Sequence, residues 1–241
     1  MIRFFLYLQL MNFKSKLPNV RTTIFTIMSS LAKEHNALNL SQGFPDFESD
    51  PLLIELVSQA MKNGYNQYAP MMGVIELRTA IAQKFKELYQ SSYSPEKEIV
   101  ITVGATQAIF TVISAFIHTN DEVIIFTPAY DCYQPSVELQ GGKVIPIQLQ
   151  YPKNTIDWSL VEKSITSKTK MIIINSPQNP SGSIFSLSDM KRLEKITNNT
   201  DIIILSDEVY EHMIFDGEKH QSICLFPALK KRSFITASFG K

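Results

Sequence analysis

Two periods alternate along the 241-residue chain. Stretches with apolar residues three and four apart read as helices, and short runs of branched apolar residues bounded by turn residues read as strands. In chain order the pattern predicts an arm, then helices over 25–34, 51–63 (capped by Asp50) and 74–89. It next predicts strand 99–103, helix 105–117, strand 122–126, helix 130–139, strand 143–147, helix 158–165, strand 171–174, helix 187–196, strand 202–205 and strand 233–236. The runs Ile172-Ile173-Ile174 and Ile202-Ile203-Ile204-Leu205 contain no polar positions, as expected of strands buried on both faces. Strands alternating with helices of this length imply an α/β fold: a mostly parallel sheet with right-handed crossovers, sandwiched by helices.

Composition narrows the function classes. Lysine plus arginine and aspartate plus glutamate number 23 each. A zero formal charge gives no electrostatic footprint for nucleic acid or an anionic membrane. The apolar fraction of 44% suits a globular protein with a sizeable core, and no apolar run reaches the length of a membrane span. Cys132 and Cys224 form neither a disulfide framework nor a metal spacing. The four histidines are scattered and read as surface or satisfied core residues. No nucleic acid, membrane or metal is expected, and the location expected is cytoplasmic. Residues 1–10, with Phe4-Phe5-Leu6-Tyr7-Leu8 after a single Arg3, lack a cleavage site and read as an over-extended start.

In open parallel sheets ligands bind beyond the carboxyl ends of the strands, so the chemistry is sought there. Asp207 follows 202–205 and is either aimed at a ligand or a cap for a following helix. Tyr210, three residues on, is expected on the same helical face. The turn Asn175 to Gly182, with two prolines, holds Asn179, whose amide can donate to a phenolate oxygen. Gly104, Ala105 and Thr106 open a helix whose amides and dipole suit a phosphate. Tyr130 offers a ring for stacking, or packs at a helix start. Gly43 allows close backbone approach, and Phe44 supplies an apolar wall. Ser238 brings a hydroxyl and Lys241 an amine. A phosphate cradle, a stacking ring, two phenolate donors, a carboxylate for a pyridinium and a lysine describe a site for pyridoxal 5′-phosphate. The amine would hold the aldehyde as an imine and move protons. The carboxylate would keep the ring nitrogen protonated.

The segments Asn179-Pro180-Ser181-Gly182, Ser206-Asp207-Glu208-Val209-Tyr210-Glu211-His212 and Ser238-Phe239-Gly240-Lys241 resemble class I pyridoxal-phosphate aminotransferases of fold type I, in order and spacing. Leu40 to Phe47 and Asn66 to Met71 resemble the methionine and kynurenine aminotransferase branch. The resemblance runs from about Lys16 to the last residue. It implies an arm and small-domain segment over 11–45 and a cofactor-binding large domain over 46–241, with only the N-terminal part of the small domain present. It implies Lys241 at the aldehyde, Asp207 at the pyridine nitrogen, Asn179 and Tyr210 at the phenolate oxygen, and Tyr130 on the ring. Gly104, Ala105, Thr106 and Ser238 are implied at the phosphate, and Tyr68 at the phosphate of a neighbouring subunit in a homodimer. Gly43, Phe44, Ile24, Phe25 and Asn179 are implied around the substrate. The implied reaction passes the amino group of an apolar or aromatic amino acid, such as methionine or kynurenine, to a 2-oxo acid. The same residues also suit a carbon–sulfur β-lyase. Relatives of this kind continue past the lysine to arginines for the phosphate and the substrate carboxylate, so the chain reads as C-terminally truncated, and an inactive remnant is a further alternative.

Overall fold

The computed structural model describes residues 14–43, 45 and 47–239. These fall into two compact units, 19–74 and 14–18 with 75–239. Phe44 and Lys241 lie outside the described residues.

The 19–74 unit holds helices α1 (Ile24–Glu34) and α2 (Pro51–Lys62). Both start as their sequences direct. Thr23 caps α1 by accepting from the Thr26 amide, and Asp50 caps α2 by accepting from Leu52, with Pro51 in the first turn. Neither helix contains a buried residue.

The other unit begins with α3 (Ile75–Tyr89) and α4 (Ala105–Phe116), followed by β1 (Glu122–Thr127), α5 (Tyr133–Leu139), β2 (Lys143–Gln148) and α6 (Trp158–Ser164). It continues with β3 (Thr169–Asn175), α7 (Leu187–Thr197), β4 (Ile203–Asp207), a short α8 (Pro227–Lys230) and β5 (Ser233–Thr236). The five strands form one parallel sheet in the order β2-β1-β3-β4-β5. Alternation along each strand splits the apolar run between two cores. Ile172, Ile174 and Ile204 pack with Val161 of α6 and Met190 and Leu193 of α7. Met171, Ile173 and Leu205 pack with Ile109 and Ile113 of α4 and Val137 of α5. Among the described residues, no helix is long and apolar enough to cross a membrane.

Three expectations are corrected. Residues 99–103 are not a strand: no ladder among the described residues includes them, and Val100 and Val103 are exposed. An apolar run becomes a strand only when its backbone groups find a partner chain segment. The helix expected from residue 130 begins at Tyr133. Pro135 sits in its first turn, has no amide to bond the Asp131 carbonyl, and would clash with that carbonyl in an earlier start. No helix starts directly after Asp207: Val209 to His212 are successive turns, closed by Glu211 N–H on the Glu208 carbonyl and Met213 N–H on the Tyr210 carbonyl. Tyr210 is therefore not on a helical face shared with Asp207. The physical cause is tertiary, because the acids of this turn are drawn to buried partners described below.

Candidate active site

Strand register assembles the site before any side chain is considered. Asn175 of β3 pairs with Asp207 of β4, and Asp207 with Thr236 of β5, so all three close the sheet on one rung. The Asn175 side chain ties this rung together. Its amide donates to the Asp207 carbonyl at 2.9 Å, and its oxygen accepts from the Asn179 backbone at 2.7 Å. Gln178 braces the same loop by accepting from the Ser181 amide at 2.8 Å and donating to the Pro128 carbonyl beyond β1. The half-buried Asn179 is thus held by its own backbone to the strand end.

Alternation then decides which way the two successive acids at the end of β4, Asp207 and Glu208, face. Asp207 shares the side of Leu205, against α5, whereas Glu208 shares the side of Ser206. Asp207 is 3% exposed. Its Oδ2 accepts from the Tyr133 hydroxyl at 2.5 Å, and its Oδ1 accepts from the Val209 amide at 3.3 Å. The bland alternative, a helix cap, is replaced by a one-residue turn cap with no helix behind it. Burial pushes the Asp207 carboxyl above its ordinary value. The Tyr133 hydroxyl and the Val209 amide pull it down, and Glu208 adds to the rise. Burial and the Asp207 charge push the Tyr133 phenol far up, so it is a neutral donor. The half-buried Cys132 thiol is pushed up to about 12 by burial, Asp207 and Asp131.

The opposite side of the turn is a polar network that the sequence reading missed. Glu208 accepts from the Ser206 hydroxyl at 2.7 Å and the Ile223 amide at 3.0 Å, and stands 2.8 Å from His220 Nε2. The buried His220 Nδ1 has no partner among the described residues. Glu211 accepts from Lys84 Nζ and from the Tyr89 hydroxyl of α3, each at 2.5 Å. Burial raises the Glu211 carboxyl, but Lys84 and Tyr89 outweigh it and hold the group below its ordinary value. His220, read from sequence as an ordinary histidine, is thus part of the support of this turn.

The other expected residues are placed as follows. Gly104 precedes α4 with φ +82°, a conformation that favours glycine, and nothing lies within 4 Å of a Cβ built on it. It gives α4 no side-chain cap, leaving the first-turn amides of Ala105 and Thr106 open, with Thr106 exposed. Tyr130 is half-buried in the loop after β1, its ring 5.9 Å from Tyr133 at 72°. Tyr210 and Ser238 are half-buried, the latter just past β5. Gly43, Ile24, Phe25 and Tyr68 belong to the 19–74 unit; Gly43, Ile24 and Tyr68 are exposed there, and Phe25 is half-buried. The structure puts Asp207 and the β5 end on one rung, ties the Asn179 backbone to that rung through Asn175, and adds Tyr133, which no local pattern in the sequence marked.

The chain is similar to known proteins over most of its length. The family model for class I and II aminotransferases matches residues 35–241. The methionine aminotransferase of Escherichia coli is 43% identical over 228 residues, covering 95% of this chain and 59% of that protein. The aspartate aminotransferase of Pyrococcus abyssi is 38% identical, covering 86% and 53%. Human kynurenine–oxoglutarate transaminase 1 is 34% identical, covering 88% and 53%. The crystal structure of an Escherichia coli methionine aminotransferase superposes with a TM-score of 0.91 at 42% identity, covering 95% of this chain and 60% of that one. The chain spans less than two thirds of the length of these relatives.

Proposed function

Since the chain belongs to the class I and II aminotransferases, we propose that it carries the cofactor site of a pyridoxal 5′-phosphate enzyme that transfers the amino group of an apolar or aromatic amino acid to a 2-oxo acid. The single observation behind this reading is Asp207, an acid buried at a parallel strand end with its proton affinity raised and its two oxygens held by different elements.

The donor set fits the group. Asp207 would meet the pyridine nitrogen, and Asn179 and Tyr210 the phenolate oxygen. The open α4 terminus, with Gly104, Ala105, Thr106 and the Ser238 hydroxyl, suits a phosphate. Tyr130 would stack on the ring, and Lys241 would attach the aldehyde. When bound, the cofactor supplies an electron sink for the electrons left when the substrate α-proton is removed. Asp207 would hold a protonated ring nitrogen through a charge-assisted contact of roughly 1.5–3 kcal/mol. Lys241 would serve as the base that moves the substrate proton. The Asn175 amide keeps the Asp207 backbone and the Asn179 loop in fixed register, so these contacts need no rearrangement during reaction.

The substrate reading rests on the residues that the family resemblance implies around the substrate, Ile24, Phe25 and Phe44, all apolar or aromatic. Side chains of this kind offer a substrate carboxylate no partner, at a cost of a few kcal/mol. Methionine should outcompete aspartate as donor in the whole enzyme; a preference for aspartate would refute this. We assign the whole protein to a cytoplasmic homodimer in which the exposed Tyr68 reaches the neighbouring subunit's phosphate. Borohydride reduction with pyridoxal phosphate, followed by peptide mapping, tests the site: the label should sit on Lys241, and a label on Lys231 would overturn the assignment.

A further inference from the structure

We propose that Tyr133 is a positioning residue for Asp207: its phenol, immobilised in the core, donates to Oδ2 and holds the acid as an ionised acceptor in a single orientation. The consequence for catalysis rests on the reading of Asp207 as partner of the cofactor ring nitrogen, but the interaction itself stands on the geometry.

Three observations carry it. First, the Tyr133 ring is fixed. It is 3% exposed and belongs to the apolar cluster of Ile109, Ile113, Val123, Ile125, Val137 and Leu205. Its hydroxyl meets Oδ2 at 2.5 Å, the length of a strong charge-assisted bond. Secondly, the two carboxylate oxygens are served from different elements. Oδ1 is held locally by the Val209 amide, and Oδ2 by a helix packed on the sheet face. A carboxylate clamped at both oxygens has lost its freedom to rotate, and only acceptor lone pairs remain for a ligand. Thirdly, among the described residues the titratable groups around Asp207 do not otherwise favour its charge. Glu208 on the same turn opposes it, and the Cys132 thiol is itself pushed up by burial and Asp207. The largest pull toward ionisation comes from Tyr133, followed by the Val209 amide.

The same loop after β1 carries Tyr130, three residues earlier and edge-on to Tyr133 at 5.9 Å. One short segment thus supplies the residue assigned to the ring face and the residue that orients the acid assigned to the ring nitrogen. Pro135, by delaying the start of α5, leaves Tyr130 in the loop and puts Tyr133 on the first helical turn.

Tyr133→Phe keeps the ring and removes only the donor. Carboxyl carbon NMR of the 241-residue chain, with the Asp207 signal identified by its loss in Asp207→Asn, should show the Asp207 protonation midpoint rising by about one pH unit, a tenfold shift in proton affinity. An unchanged midpoint overturns the proposal. Fluorotyrosine at position 133, a stronger donor in an unaltered fold, should move the midpoint the other way; a shift in the same direction as Tyr133→Phe also overturns it. A second readout compares pyridoxal phosphate with its 1-deaza analogue, which lacks the ring nitrogen. Tyr133→Phe should weaken the former about tenfold and leave the latter unchanged. Equal losses for both ligands would reduce Tyr133 to a packing residue. A native chain that captures neither ligand would refute the proposed cofactor, while the titration would still decide the role of Tyr133.

Discussion

The turn after β4 has two sides, and each buries an acid. On one side Asp207 is surrounded by apolar residues, one phenol and one amide, and is pushed toward its neutral form. On the other, four residues along, Glu211 meets Lys84 and Tyr89 and is held ionised. Burial acts on both in the same direction, and what differs is whether a cation stands opposite. Glu211 has a full counter-charge and is a structural anchor. Among the described residues Asp207 has only neutral donors, Tyr133 and the Val209 amide, which leaves its charge for a cationic ligand to claim. Perturbed acids without a protein counter-ion mark functional sites, and here the marked acid sits where a parallel sheet places ligands.

The comparison can be broken in a definite order. The largest effect should come from Asp207→Asn in the whole enzyme. Cofactor capture should persist while turnover falls on the order of 10²–10³-fold, the range for losing one preorganised electrostatic partner. Near-normal turnover would move Asp207 to the structural side. Next is Glu211→Gln, which strands Lys84 and weakens two charge-assisted bonds. Urea unfolding at neutral pH should show a loss of about 1–3 kcal/mol, and an unchanged midpoint would mean that the anchor is idle.

The pH dependence of those two variants should have opposite sign. The folded Glu211 carboxyl lies below its ordinary 4.5, so its contribution is fully present above that pH and disappears as pH falls through the lowered value. Glu211→Gln and the native chain should therefore converge in stability in acid. The folded Asp207 carboxyl lies above its ordinary 3.8, so ionising it costs the fold stability as pH rises through the raised value. Asp207→Asn should gain on the native chain over that rise. Parallel curves for both variants would erase the distinction. A smaller loss, about 0.5–1.5 kcal/mol, is expected for Tyr89→Phe, which removes one of the two Glu211 donors. The smallest belongs to His212→Ala. Its ring is half exposed and 3.7 Å from Glu211, so unfolding should shift by less than about 0.5 kcal/mol.

Much of this was legible before any coordinates. The isoleucine runs announce doubly buried strands, and the caps Asp50-Pro51 and Gly104 mark helix starts that the structure keeps. Asp207 and Asn179 were legible as site candidates because a strand end followed by polar turn residues is a local pattern. Both helices of the 19–74 unit were equally legible, yet neither buries a residue. Periodicity reports which face of a helix is apolar, not whether anything covers it.

What the sequence alone determined is therefore most of the helices and strands, their parallel arrangement and the residues at the strand ends, because these follow from short-range periodicity and turn chemistry. Tertiary structure decided the rest. The run 99–103 is no strand, since strand formation requires a partner that no local pattern supplies. The chain after Asp207 turns instead of coiling, since Glu208 and Glu211 find His220, Ile223, Lys84 and Tyr89 from distant segments. Tyr133 reaches Asp207 across 74 positions of sequence, a contact made only when β1 and β4 lie in the same sheet with α5 packed on its face. Which acid is poised for chemistry and which is an anchor depends on what stands within hydrogen-bond reach, and that is a property of the folded chain.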